Sequence, residues 1–323
     1  MSAPTPTKTP AGSPAGENGT PGGSGGSGRP LKYRPSGAGK ASTVGRPHAA
    51  WALPGVLFFA FFAVVPLGLA FYLSFTSWDG LGDPKLVGLD NWQKMFDDDR
   101  MVQSLWLTVL LTVVSWVFQT VISVLLGVWA AGRQRNRAVL SAIFFVPFLL
   151  SSTAIALLFY SLLDPNFGVI QKNILGSSNG AFLAIVFVGA WQFIPFHTLL
   201  YQGGARQIPE VLYQAASIDG AGRYRQFYSV TLPQLRNTMT TSTVLMVVGT
   251  LTYFETVLIL TKGGPGTDTA ILPYLMYEAG FKSYDFGYAS AIASFLVVIA
   301  TGLSLILVRL TGFGRMRSTR EGM

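Results

Sequence analysis

Six apolar stretches, each roughly 21 to 28 residues long, dominate this chain of 323 residues. They fall near Trp51–Phe75, Ser104–Ala131, Ala138–Leu163, Ala181–Tyr201, Thr238–Thr261 and Tyr288–Leu310. At about 1.5 Å per residue, a helix of that length crosses a hydrocarbon core about 30 Å thick. In lipid every amide and carbonyl must find its partner inside the protein, which leaves helices or a closed barrel. No stretch alternates with period two. The pattern therefore predicts an all-α membrane protein with six transmembrane helices.

Charge sets the expected orientation. Only 12% of residues are charged, against about a quarter in a soluble domain. The net charge of +8 does not imply nucleic acid, because the basic residues lie between apolar runs rather than in one aromatic-studded patch. Seventeen of the 23 Lys and Arg lie in the N-terminal segment, the 132–137 turn, the 205–237 loop and the C-terminus. The opposite loops hold the other six, with Asp97-Asp98-Asp99. The positive-inside rule then puts both termini and the 205–237 loop in the cytoplasm of a multi-pass cell-membrane protein. The chain has no cysteine and only His48 and His197, so no thiolate or histidine metal site is expected.

Residues 1–47 are rich in Gly, Pro, Ser, Thr and Ala and are expected to form a disordered cytoplasmic tail. Residues 48–323 form the transmembrane domain. Within the tail, Gly37-Ala38-Gly39-Lys40 echoes a phosphate loop, but Arg34 stands where its first Gly belongs and no strand precedes it. Asn18-Gly19-Thr20 matches a glycosylation triplet on the wrong side of the membrane.

The 205–237 loop has more structure than a connector needs. Pro209 and Glu210 suit a helix start, and a helix to about Ile218 places Val211, Leu212, Ala215 and Ile218 on one stripe. Gly220 follows where helices commonly end in a left-handed residue, and Leu232-Pro233 marks re-entry toward the membrane. Read from its residues alone, this is either a connection packed on the protein's own helices or a docking element.

Gln214-Ala215-Ala216, three residues, Gly220, nine residues, then Val230-Thr231-Leu232-Pro233 resembles the EAA loop of ABC importer permeases. Tyr213, Asp219, Ala221 and Phe227 resemble its sugar-importer branch, as do the Phe254–Pro265 block with Thr269, Tyr277 and Phe281, the Gly287–Ile292 block, and Ser74-Phe75, Trp78 and Val87–Trp92 nearer the N-terminus. The resemblance covers roughly residues 51 to 312 and implies the type I permease fold. It makes Gln214, Ala215, Ala216, Asp219, Gly220, Ala221, Leu232 and Pro233 the contact to a separate ATPase. One departure is Gln214, where the family usually has Glu; a neutral amide offers a weaker contact than a carboxylate. It also implies a second homologous permease, two cytoplasmic ATPases and an extracellular solute-binding protein as partners. The chain itself would bind no cofactor, since ATP and Mg belong to the ATPases, and would catalyse nothing.

By offset from the family's motifs, the carbohydrate pocket should use Trp191, Gln192, Phe193, Phe196, Met246, Thr250, Tyr253 and Glu255. Aromatic faces stack on sugar C–H surfaces, and amides and hydroxyls bond sugar hydroxyls. The same residues could equally serve helix packing, with Thr bonding back to its own helix. Pro195 is expected to kink the fourth span, and His197 to be a satisfied helix contact. The solute expected is a di- or oligosaccharide, with glycerol phosphate or an amino sugar as alternatives. An ion-coupled secondary transporter is the competing class, but it calls for internal repeats and mid-membrane charges that are not evident.

Overall fold

A computed structural model of the protein describes residues 49–132 and 135–311. The expected tail lies outside the described residues. The chain divides after Leu53, and the described part of the first unit is a 3-10 turn, Ala49–Ala52, with the first residue of helix α1.

Helix α1 (Leu53–Leu73) contains a π turn at Ala60–Val64. A two-residue ribbon of β1 (Thr76–Ser77) and β2 (Lys85–Leu86) and the short α2 (Asp90–Asp97) precede the long α3 (Asp99–Ala130). Then come α4 (Arg135–Phe144), α5 (Val146–Leu149), α6 (Ser152–Leu162) and α7 (Ser178–Arg206). Helices α8 (Glu210–Ile218) and α9 (Arg223–Gln226), a π segment Phe227–Thr231 and α10 (Leu232–Gln234) lead to α11 (Arg236–Leu251) and α12 (Glu255–Leu260). Helix α13 (Leu272–Tyr277), extended by a π segment Glu278–Lys282, precedes α14 (Phe286–Thr311).

Four helices, α1, α3, α7 and α14, are long and apolar enough to cross a membrane among the described residues. The other two expected spans are each interrupted. The third bends by 93° between Leu149 and Ser152. Pro147 has no amide hydrogen to return to the preceding helix, and Leu150 and Ser151 are extended, with ψ of 149° and 136°. The fifth stops at Leu251 and resumes at Glu255. Here Thr250 Oγ1 donates to the Met246 carbonyl at 2.8 Å, and Thr252 Oγ1 to the Val248 and Gly249 carbonyls at 3.2 Å. Hydroxyls that bond back this way bend helices, and hydropathy alone does not register the break. By contrast, α7 runs unbroken through Pro195.

Apolar area alone gives helices in lipid no reason to associate, so close packing and hydrogen bonds must do it. Along α3, the buried Ser104, Thr108, Leu111, Ser115, Gln119, Ser123 and Gly127 recur every three or four residues as one small and polar stripe. Gly127 lets α7 approach: a Cβ there would lie 2.6 Å from Tyr201 Cβ and 2.9 Å from the Thr198 carbonyl. Gln202 Nε2 donates to the Ala130 carbonyl at 2.8 Å, pinning the other end of the pair. Helix α1 buries no residue on any face.

The blocks flanking the spans form joints. Asn91 Nδ2 donates to the Ser74 and Thr76 carbonyls at 3.0 and 2.8 Å, and Trp92 Nε1 to Ser74 Oγ at 3.2 Å. Phe286 N donates to the Trp78 carbonyl at 2.9 Å. These bonds tie the end of α1 to α2 and α14. At the turn after α12, Gly263 has φ +79°, and a Cβ there would lie 2.4 Å from Tyr274. Helix α13 buries Leu272, Pro273, Tyr274 and Leu275 in the core, although no sequence signal set that segment apart from a loop.

Candidate functional site

The docking element comes first. Glu210 opens α8, where an acid suits the positive end of the helix. The far end closes with two hydrogen bonds: Gly220 N donates to the Ser217 carbonyl at 3.1 Å and Ala221 N to the Ala216 carbonyl at 2.8 Å. Gly220 sits at φ +74°, so this is the paired-bond helix stop that glycine favours. Nothing lies within 4 Å of a Cβ built there, so glycine is required for conformation and not for space within the chain.

Helix α8 presents one face outward. Val211 and Ile218 are 63% and 87% exposed, and Gln214, Ala215 and Asp219 are exposed beside them, while Ala216 and Ala221 are half-buried. Gln214 thus stands on an open surface. On the inner side, Leu212 is half-buried and Tyr213 Oη lies 2.9 Å from Thr231 Oγ1. Gln226 Nε2 donates to Ser217 Oγ at 3.0 Å and to the Ala221 carbonyl at 2.9 Å. Leu232 packs against Val124, Tyr201 and Leu235, and Pro233 is exposed at the start of α10. The eight expected docking residues therefore divide: Gln214, Ala215, Asp219, Gly220 and Pro233 face outward, Ala216 and Ala221 are half-buried, and Leu232 anchors the loop to the helices.

A cavity of about 180 Å³ lies between α3, α5, α7 and α11. Of the eight expected pocket residues, Phe193, Phe196, Met246, Thr250 and Tyr253 line it. Trp191, Gln192 and Glu255 do not. The reason is helical periodicity: Gly189, Phe193, Phe196 and His197 share one face, and Trp191 and Gln192 point elsewhere. Trp191 packs edge-on against Phe159 at 5.4 Å. Gln192 Nε2 donates to Ser152 Oγ at 3.0 Å, fastening the bend between α5 and α6 to α7. Glu255 is exposed at the first residue of α12, after the break rather than inside a span.

Sequence reasoning missed Ser115 and Gln119 on α3, Phe148 on α5, and the place of His197 in the lining. The signal for the first two was the run of Ser, Thr and Gln at helical spacing within an apolar span. His197 Nδ1 is 2.9 Å from Ser242 Oγ, so it is a bonded helix contact that also faces the cavity. The aromatic side is ordered: Phe148 stacks on Phe196 with centroids 5.0 Å apart, and Phe193 meets Tyr253 edge-on at 6.1 Å. Gly189 leaves room for that phenol, since a Cβ there would lie 3.1 Å from Tyr253 Oη. No residue lining the cavity carries a formal charge if His197 is neutral. A lining that combines aromatic rings with Ser, Gln, Thr and Tyr groups suits an uncharged polyhydroxylated solute.

Residues 123–313 match the family of binding-protein-dependent transport system inner membrane components. The chain is 31% identical over 271 residues to the multiple sugar-binding transport system permease protein MsmF of Streptococcus mutans, covering 80% of this chain and 92% of that protein. It is 30% identical over 292 residues to the diacetylchitobiose uptake system permease protein NgcF of Streptomyces coelicolor, covering 81% and 82%. Its fold resembles a chain of a bacterial ABC transporter involved in the import of the acidic polysaccharide alginate, with TM-score 0.71, 21% identity, and 83% of this chain and 95% of that chain covered.

Proposed function

Because the chain belongs to the family of binding-protein-dependent transport system inner membrane components, a multi-pass membrane subunit and not an enzyme, we propose that it is the permease of an ATP-driven carbohydrate importer. The observation that carries this reading is the α8 element: an exposed face closed by Gly220, joined through Tyr213 and Thr231 to the segment that enters α11. A water-soluble ATPase would seat on Val211, Gln214, Ala215 and Ile218. Its movement would reach α11 through the π segment Phe227–Thr231, and α11 walls the cavity. Displacement of α8 would in this way open the solute site to one side of the membrane and then the other.

We read the chain as crossing the membrane six times, the bent α4–α6 segment and the interrupted α11–α12 pair each counting once, with both termini cytoplasmic, as in a type I importer. A second permease would complete the cavity, and an extracellular protein would deliver the solute. The uncharged lining and its aromatic wall favour a neutral di- or oligosaccharide over glycerol phosphate, which calls for a cation. The sugar permeases among its relatives support the same class.

The test is uptake into vesicles that hold this chain, its permease partner and their ATPase, with the solute-binding protein outside. Accumulation of a neutral oligosaccharide that needs ATP and every component supports the reading. Uphill accumulation by this chain alone, driven by an ion gradient, rejects it.

A further inference from the structure

Beside the docking element lies a second concavity, a groove of about 880 Å³ at the end of α3. Its floor is Leu125, Val128 and Trp129, in the last two turns of that helix before it stops at Ala130. Tyr224 and Tyr228 stand at its mouth, 87% and 67% exposed, and Arg223 borders it. Arg223 is exposed and in no ion pair among the described residues.

We propose that this groove is a binding site for one anionic phospholipid, its phosphate on Arg223, its glycerol region between the tyrosine rings and an acyl chain along α3. Three observations point to a lipid. Val117, Val121 and Leu125 are exposed at four-residue intervals, so the apolar floor continues an open stripe of a membrane-spanning helix. A chain lying on that stripe runs into the groove without leaving hydrocarbon. Tyrosine rings at the end of a span suit the headgroup level, where one edge is apolar and the other wet. A guanidinium in that position matches phosphate in charge and in its paired donors. A water-soluble partner fits less well, because the floor is the flank of a transmembrane helix. Moreover, Val211, Ala215 and Ile218, the face of α8 proposed for the ATPase, do not line the groove.

The site rests on the reading of the 205–237 loop as cytoplasmic, the leaflet where anionic lipids concentrate. The lipid would bridge α3 to Tyr228 in the π segment, next to the Tyr213–Thr231 contact. Coupling would then depend on lipid composition.

The test is native mass spectrometry of the full chain in detergent, titrated with phosphatidylglycerol or with phosphatidylcholine of the same acyl chains. We expect phosphatidylglycerol to be retained on the order of tenfold more tightly, with that preference lost in Arg223→Gln and kept in part, through charge alone, in Arg223→Lys. Glycerol 1-phosphate, the headgroup alone, should fail to compete. Equal retention of both lipids, or an unchanged preference in Arg223→Gln, overturns the proposal. Full competition by glycerol 1-phosphate also overturns it, since the site would then take a soluble phosphate. If Arg223→Gln weakens capture of the ATPase while lipid retention is unchanged, the groove is a protein contact and the proposal fails. Lipid binding is read without ATPase, solute or binding protein, so its failure leaves the importer reading standing.

Discussion

The hydroxyls of Tyr213 and Thr231 lie 2.9 Å apart, and this single contact joins the middle of the surface helix α8 to the last residue of the π segment leading into α10 and α11. Thr231 is buried and Tyr213 half-buried, and both line the groove beside α8. Such a bond contributes about 1 kcal/mol net, while a rigid link between two elements also transmits displacement.

Tyr213→Phe keeps the ring and removes the link. We expect folding and ATPase docking to survive. The number of solutes moved per ATP hydrolysed should fall several-fold, read by parallel uptake and phosphate-release assays on the assembled transporter. An unchanged ratio would place the transmission elsewhere, for instance through Gln226 and Ser217.

Gly220 offers a cleaner test of backbone conformation than of bulk. Because its φ is +74° and no atom crowds the missing Cβ, Gly220→Asn should be nearly silent, whereas Gly220→Val should cost about 1–2 kcal/mol and depress uptake. If Asn and Val impair uptake alike while α8 stays formed, the glycine serves close approach by the ATPase instead.

For the cavity, Phe193→Ala and Gln119→Leu should each raise the solute concentration for half-maximal uptake on the order of tenfold, equivalent to about 1.4 kcal/mol. Gln192→Ala should act differently. Its side chain fastens the α5–α6 bend, so the loss should appear as a lower melting temperature with little change in half-saturation. Inverted results would mean that the solute lies on the other face of α7.

At the opposite end of the bundle, Arg100 Nη2 donates to Glu278 Oε2 at 2.9 Å, and Lys282 Nζ donates to Glu278 Oε1 at 3.0 Å. Partial burial alone would raise the Glu278 pKa. The Lys282 hydrogen bond and the Lys282 and Arg100 charges outweigh it and hold the carboxyl below its ordinary value. Its contribution to stability is therefore complete above the unfolded carboxylate pKa, about 4.3, and is lost as pH falls through the lower folded value. Lys282 is shifted up by its bonds to Tyr274 and Glu278, so its share is complete below the ordinary lysine range and fades only as pH rises through the raised value. Melting temperature should drop more steeply below about pH 4.5 in wild type than in Glu278→Gln. The difference will be modest, because Arg100 and Lys282 are about half exposed. Parallel curves would show that the triad contributes nothing measurable.

Features governed by neighbours along the chain could be read from the residues. Hydropathy located α1, α3, α7 and α14 to within a few residues, because a helix in lipid needs only local hydrogen bonds and an apolar surface. Pro209, Glu210 and Gly220 marked both ends of α8 for the same reason: caps and left-handed stops are decided within one turn. Ser115 and Gln119, polar residues one turn apart in an apolar span, were visible too, but they lacked meaning without knowing which helix they would face.

What the tertiary structure alone decided is how separate spans meet. The burial of α13 and the assembly of Gln119, Phe148, Phe193, His197 and Tyr253 around one cavity depend on residues far apart in sequence. A span's hydropathy is nearly blind to rotation about its own axis, so it could not tell that Gln192 faces Ser152 while Phe193 faces the cavity. That rotation is set by close contacts such as Gly127 against Tyr201, because small-residue packing and interhelical hydrogen bonds, rather than apolar area, fix helices against one another in lipid.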